Sequence, residues 1–198
     1  MKSTKIQKTV PEICLSMQQS MNTRLVGVLR LFLVALVALC PQDLLAQADD
    51  HELSCLEAAY VINFIKFTTW PVSGSGDEPF RIRVLQHPLM AESMQDAPVQ
   101  SIHNRPFEIR NCASISELAD ADIVFIPAKA ASSLSDEVWK NFGSSTMIVS
   151  DWAGSLYKGA TIQLMAIGGR MRFAINLKTG KDFNISSKLL RLAVEVEE

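Results

Sequence analysis

Asp151 is the residue that the sequence places best for chemistry. It follows the bounded apolar run Thr146 to Ser150 (TMIVS), and α/β folds gather ligands at the carboxyl ends of such strands. A lone carboxylate does little acid–base work, which needs a second positioned group. No His, Lys or Ser is set by the sequence to share its proton. Asp151 is therefore expected to accept backbone N–H bonds in the turn that carries Trp152, while Ser150 and Asp151 together mark a ligand crevice. The histidines, His51, His87 and His103, are far apart and have no His or Cys at metal-ligand spacing. There is no G-x-S-x-G elbow, no Walker loop and no G-x-G-x-x-G after a strand. Thr179-Gly180-Lys181-Asp182 lacks a preceding glycine-rich loop and reads as a solvated turn. Neither a metal nor a cofactor is expected, and the chain does not read as an enzyme.

Trp152, Leu156 and Tyr157 surround Gly154 in a segment that must leave one strand and return to the next. Large aromatics in such a loop either pack a hinge or anchor a partner. These three are the first partner-binding candidates, and the mixed hairpin face with Met165, Ile167, Arg170 and Arg172 is the second.

The N-terminus decides the compartment in which these residues work. Arg24 and Arg30 flank an apolar run of ten residues, Leu31 to Cys40, and Ala46-Gln47-Ala48 supplies the small residues of a cleavage site. That pattern is a secretion signal over 21–48, cut before Asp49. The run is short of the roughly 20 apolar residues of a membrane span. Leu39 stands where a lipidated Cys40 would need a small residue. Residues 1–20 precede an otherwise normal signal starting at Met21 and read as an over-called start or leader extension. The remaining 49–198 is a single exported domain's worth of chain. It carries 14 Lys and Arg against 19 Asp and Glu, a balance of −5, which argues against nucleic acid or an anionic membrane as partner. Two cysteines remain there, Cys55 and Cys112, in an oxidising compartment that favours one disulfide between them; the alternative is two buried free thiols.

The elements that must hold these residues follow from pattern. Leu53 to Trp70 reads as a helix with apolar residues on almost every side, stopped by Pro71. It is expected to be buried on most of its surface, with an exposed aromatic edge at Tyr60, Phe64 and Phe67 as the other outcome. Phe80 to Leu85, Phe107 to Arg110, Asp122 to Ile126 and Thr146 to Ser150 read as strands. Helices are predicted at His87 to Gln95 and Ala128 to Phe142, with a helical turn at Ser114 to Ala119. Strands alternating with helices imply a single α/β domain with a central, largely parallel sheet and helices packed on it. Gly168-Gly169 makes a two-residue turn between Thr161 to Ile167 and Arg170 to Leu177, giving a C-terminal β-hairpin. Pairing Ile167 with Arg170 places Ile162, Leu164, Ala166, Met171, Phe173 and Ile175 on one face. A last helix, capped by Ser186 or Ser187, turns Leu189, Leu190 and Leu192 inward.

Two blocks, EAAYVINFIKFTTWP at Glu57 to Pro71 and VSDWAGSLYKGATIQLMAIGGRMRFAINL with NISSKLLRLA beyond Val149, resemble the YfiR-like family of small periplasmic regulators. The resemblance covers roughly Leu53 to Ala193. It implies a protein that regulates by binding: a periplasmic repressor of an inner-membrane signalling enzyme, foremost a diguanylate cyclase, and so of cyclic-di-GMP and biofilm formation. A sensor kinase and a second copy of the chain are the other implied partners. The family's best-known member places its cysteines differently, so the resemblance carries no pairing for Cys55 and Cys112. From a different class, a periplasmic small-ligand sensor or carrier using the Ser150 and Asp151 crevice is the alternative function.

Overall fold

The computed structural model describes residues 43–71, 78–102, 104–142 and 145–198, with 43–49 given by backbone alone. The leader extension, nearly all of the secretion signal, the 72–77 loop and His103 lie outside the described residues. Among those described, no helix is long and apolar enough to cross a membrane.

The apolar run that opens the domain is helix α1, Asp43–Lys66. It ends before the predicted Trp70 because the β-branched pair Thr68 and Thr69 leaves the helix for an extended form. Strand β1, Thr68–Thr69, pairs antiparallel with β9, Asn184–Ile185, and the Phe67 carbonyl accepts the Ser186 N–H. Nor is α1 buried all round. Ala58, Val61, Ile62, Phe64 and Ile65 are buried, whereas Leu53, Leu56 and Phe67 are exposed.

The chain continues through β2 (Phe80–Leu85), α2 (Pro88–Gln95), β3 (Ser101–Ile102), β4 (Arg105–Cys112), a 3-10 turn (Ile115–Leu118) and β5 (Ile123–Ile126). The helix predicted over Ala128 to Phe142 is two short ones, α3 (Ala128–Ala131) and α4 (Asp136–Lys140). Serines divide them: Ser132 and Ser133 hydroxyls return to the Lys129 and Ala130 carbonyls, and extended Ser135 restarts the helix. Then come β6 (Met147–Ser150), α5 (Ser155–Lys158), β7 (Ile162–Ile167), β8 (Arg170–Asn176), α6 (Ser187–Leu190) and β10 (Glu195–Glu197).

Eight strands form one sheet in the order β10-β8-β7-β6-β5-β2-β4-β3, parallel except at β8-β7 and β4-β3. The hairpin register is the predicted one, Ile167 opposite Arg170, with Gly168 and Gly169 at φ 58° and 70°. Ala166, on the predicted core face, lies beyond the covering helix and is exposed. Leu192 is also exposed, at 66%. Its helix stops at Leu190, and the chain turns out to lay β10 beside β8, a strand that the local pattern did not announce.

Alternation along the strands sorts the core into two layers. On one face Ile82, Phe125, Val149 and Phe173 pack under α1, α2 and α6. On the other, Leu85, Val124, Ile126 and Ile148 pack under the 3-10 turn and α3 to α5. Arg83 falls on the second face and is 1% exposed. Its guanidinium donates to the Glu108 carboxylate at 2.8 Å and to Asp120 at 3.2 and 3.3 Å. These bonds outweigh burial and hold its pKa above the usual value, which is how an ion can be kept inside.

Candidate functional site

The carboxyl ends of β2, β5 and β6 meet where the strand order reverses, with β4 and β5 on opposite sides of β2. Ser150 and Asp151 stand there as predicted, but both serve the backbone. Ser150 Oγ accepts the Trp152 N–H at 3.1 Å. Asp151 Oδ1 accepts the Ala128 N–H, so it ties the strand end to α3 rather than bracing its own turn. Burial pushes the Asp151 carboxyl above the usual carboxylate range, while the Ala128 N–H and the charge of His87 pull it back.

A second acid was not anticipated at this end. Glu57, in α1, is 2% exposed, and burial together with the charge of Asp151 pushes its pKa from 4.5 up to about 8. At neutral pH it therefore carries its proton. Helical spacing could have revealed it, since Glu57 stands four residues before Val61 and seven before Phe64 on the buried stripe. His87 completes the group. Its Nδ1 accepts the Met90 N–H at 3.4 Å at the start of α2, and its ring meets Phe125 edge-on. The structure thus brings Asp151 into electrostatic reach of both Glu57 and His87, while His51 stays on α1 beside Cys55. Among the described residues no group of His, Cys, Asp and Glu is arranged to hold a metal.

The partner-binding candidates divide. Leu156 is buried at 7% exposure and belongs to the core, because α5 must close over the sheet. Trp152 is half-buried and stacks on Trp139, ring centroids 6.0 Å apart. Tyr157 projects from α5 at 84% exposure. On the hairpin, Met165 is half-buried, and Ile167, Arg170 and Arg172 are exposed. A further uncovered apolar feature was not anticipated as a whole. Leu53, Leu56, Tyr60 and Phe67 repeat at helical spacing along the outer side of α1. Beside them an open groove of about 260 Å³ runs between Tyr60, Phe67, Phe173 and Leu192, with Lys188 at its rim. Tyr60 also donates to the Met171 carbonyl at 2.9 Å, joining this stripe to the hairpin.

A family model described as YfiR/HmsC-like matches residues 54–194, well over half of the chain. The chain belongs to the YfiR/HmsC-like family. No curated protein matches it. The match begins in α1 and ends just before β10, so the YfiR-like domain takes in both layers, the hairpin and the buried acid pair. YfiR-like proteins are periplasmic regulators.

In this YfiR-like chain the expected disulfide is not formed: Cys55 and Cys112 are free thiols. The sheet separates them. Cys55 lies on α1 near Ser93 of α2 at 3.5 Å, and Cys112 ends β4 in the opposite layer, bonded to the Arg110 and Glu117 carbonyls. Burial raises the Cys112 pKa, so that thiol stays protonated.

Proposed function

We propose that this chain is a non-enzymatic periplasmic regulator that binds the periplasmic sensor part of an inner-membrane diguanylate cyclase and holds that enzyme inactive. Its loss would then raise cyclic-di-GMP and promote biofilm. The apolar stripe on α1 carries the reading. A helix that must cover a sheet needs one apolar side, and α1 has a second one, with Leu53, Leu56 and Phe67 in solvent. An uncovered row at this spacing suits the apolar face of a partner helix. Past Tyr60 the surface reaches Met171 on the hairpin. Met165, Ile167, Arg170 and Arg172 alternate with Met171 and Phe173 and so face the opposite side of the sheet, where they offer a separate patch of apolar area and positive charge for acidic groups on the partner. Tyr157 is an outlying anchor on the other face.

Inhibition requires the regulator to prefer one state of the enzyme. A domain that bound both states equally would shift nothing. The test is affinity capture of the chain from detergent-solubilised envelope, followed by cyclase assays of the captured enzyme with and without added chain. Recovery of a membrane cyclase that the chain inhibits, and that Leu56→Asp with Phe67→Asp fails to recover, supports the proposal. A cyclase whose rate the chain leaves unchanged overturns it, and recovery of a sensor kinase instead moves the same logic to a different enzyme.

A further inference from the structure

Four of the seven lysines beyond residue 48 line a single cavity. Lys140 ends α4, Lys158 ends α5, and Lys178 and Lys181 flank the turn after β8. They surround an open space of about 270 Å³ at the amino ends of β6 and β7, across the sheet from Asp151. The concentration is unusual for a domain whose balance is −5. Two of the ammonium groups are engaged, Lys158 with Asp136 and Lys178 with Glu197 at 3.4 Å. Lys140 and Lys181 make no ion pair among the described residues.

The floor is apolar, built from Trp139, Phe142 and Ile148. The hydroxyls around it are already used: Thr146 donates to the Ala121 carbonyl, Thr179 to the Ala160 carbonyl, and Thr161 accepts the Ile148 N–H. What remains for a ligand is therefore charge above and apolar surface below. Trp139, in the wall, also keeps a buried Nε1–H with no partner among the described residues, and few buried donors in native proteins go unpaired. At roughly 30 Å³ per water, the space equals on the order of nine waters, enough for a single ring and its acidic group.

We propose that this cavity binds a small organic anion, with its apolar body on Trp139, Phe142 and Ile148 and its charge between Lys140 and Lys181. The site is independent of the docking surface, which lies on α1 and the hairpin. A compact anion without a ring would leave the floor wet, and a neutral ring would leave the lysines unused. Recognition of both parts is what separates a site from a merely basic surface.

The test titrates the purified full chain with phenyl phosphate, and separately with inorganic phosphate and with phenol, by calorimetry and tryptophan fluorescence. Saturable binding of phenyl phosphate at least tenfold tighter than of either fragment is expected. The Lys140→Gln, Lys181→Gln double variant should weaken it at least tenfold. Lys66→Gln with Lys129→Gln removes the same charge elsewhere and should leave it unchanged. On the unaltered chain, phenyl phosphate should protect Lys140 and Lys181 from acylation by acetic anhydride, mapped by mass spectrometry. Absence of saturation in the millimolar range, equal weakening by both double variants, or absence of that protection overturns the site.

Discussion

The two ends of the sheet treat charge in opposite ways. At the carboxyl ends of β2, β5 and β6, α1 brings Glu57 toward Asp151, and burial raises both carboxyls so that Glu57 is neutral near pH 7. At the amino ends of β6 and β7 no long helix among the described residues covers the cavity, and four lysines ring it, Lys140, Lys178 and Lys181 exposed and Lys158 half-buried. Water makes the difference. The lysine pairs with Asp136 and Glu197 are exposed enough to contribute little to stability. An acid under α1 has no such screening, so it takes a proton instead. One end is therefore built to respond to pH, and the other to a ligand's charge.

The largest effect should come from the wall between the lysines and the core. Trp139 is 2% exposed and stacked on Trp152, so Trp139→Ala should cost about 3–5 kcal/mol in urea denaturation. A loss below about 1 kcal/mol would show that the amino end is as loosely built as its lysines, and the contrast between packed floor and wet rim would fail.

The carboxyl end should show itself through pH. Folded Glu57 holds its proton up to about pH 8, whereas unfolded it releases it near 4.5. Between these values the folded state binds more protons, so stability falls as pH rises through that window. Half-buried Asp151, raised above its usual range, adds in the same direction. Glu57→Gln should flatten the fall and be about 1–3 kcal/mol more stable than wild type at pH 8, where Glu57 begins to carry a desolvated charge. Denaturation midpoints at pH 5, 6.5 and 8 decide it, and an unchanged slope in the variant would mean that another group titrates.

Much of this was legible in residues before any coordinates. Gly168-Gly169 fixed the hairpin register because the turn admits little else, and the bounded runs FRIRVL, DIVFI and TMIVS fell on β2, β5 and β6, the first without error and the other two one residue long. Failures arose where long-range pairing overrode local preference. Thr68 and Thr69 left the helix to meet Asn184 and Ile185, Leu192 was turned out by β10, and the serines between α3 and α4 gave the backbone a competing partner. The site was less legible still. Whether Cys55 and Cys112 face each other depends on which side of the sheet each reaches, and whether Lys140 meets Lys181 depends on a crossover. Neither is written in spacing. Glu57 is legible in spacing alone, since it falls on the same helical stripe as Val61 and Phe64.

Asp151→Asn should separate the structural role of Asp151 from its electrostatic one. Asn retains an oxygen for the Ala128 N–H, so the tie to α3 should survive at a cost under about 1 kcal/mol. Burial still raises Glu57, but the added push of the Asp151 charge disappears, so the Glu57 pKa should fall below about 8 while staying above its ordinary value. The pH window in which stability declines then narrows from its upper edge, while Asp151→Ala would lose the tie as well. If Asp151→Asn left that edge in place, Glu57 would be governed by burial alone, and the two acids would not form a unit. The smallest effect belongs to the other end. Lys140→Gln with Lys181→Gln should move the melting free energy by no more than about 0.5 kcal/mol, as surface changes usually do. A larger loss would mean that these lysines hold the fold together, and that the open end is less different from the closed one than their exposure implies.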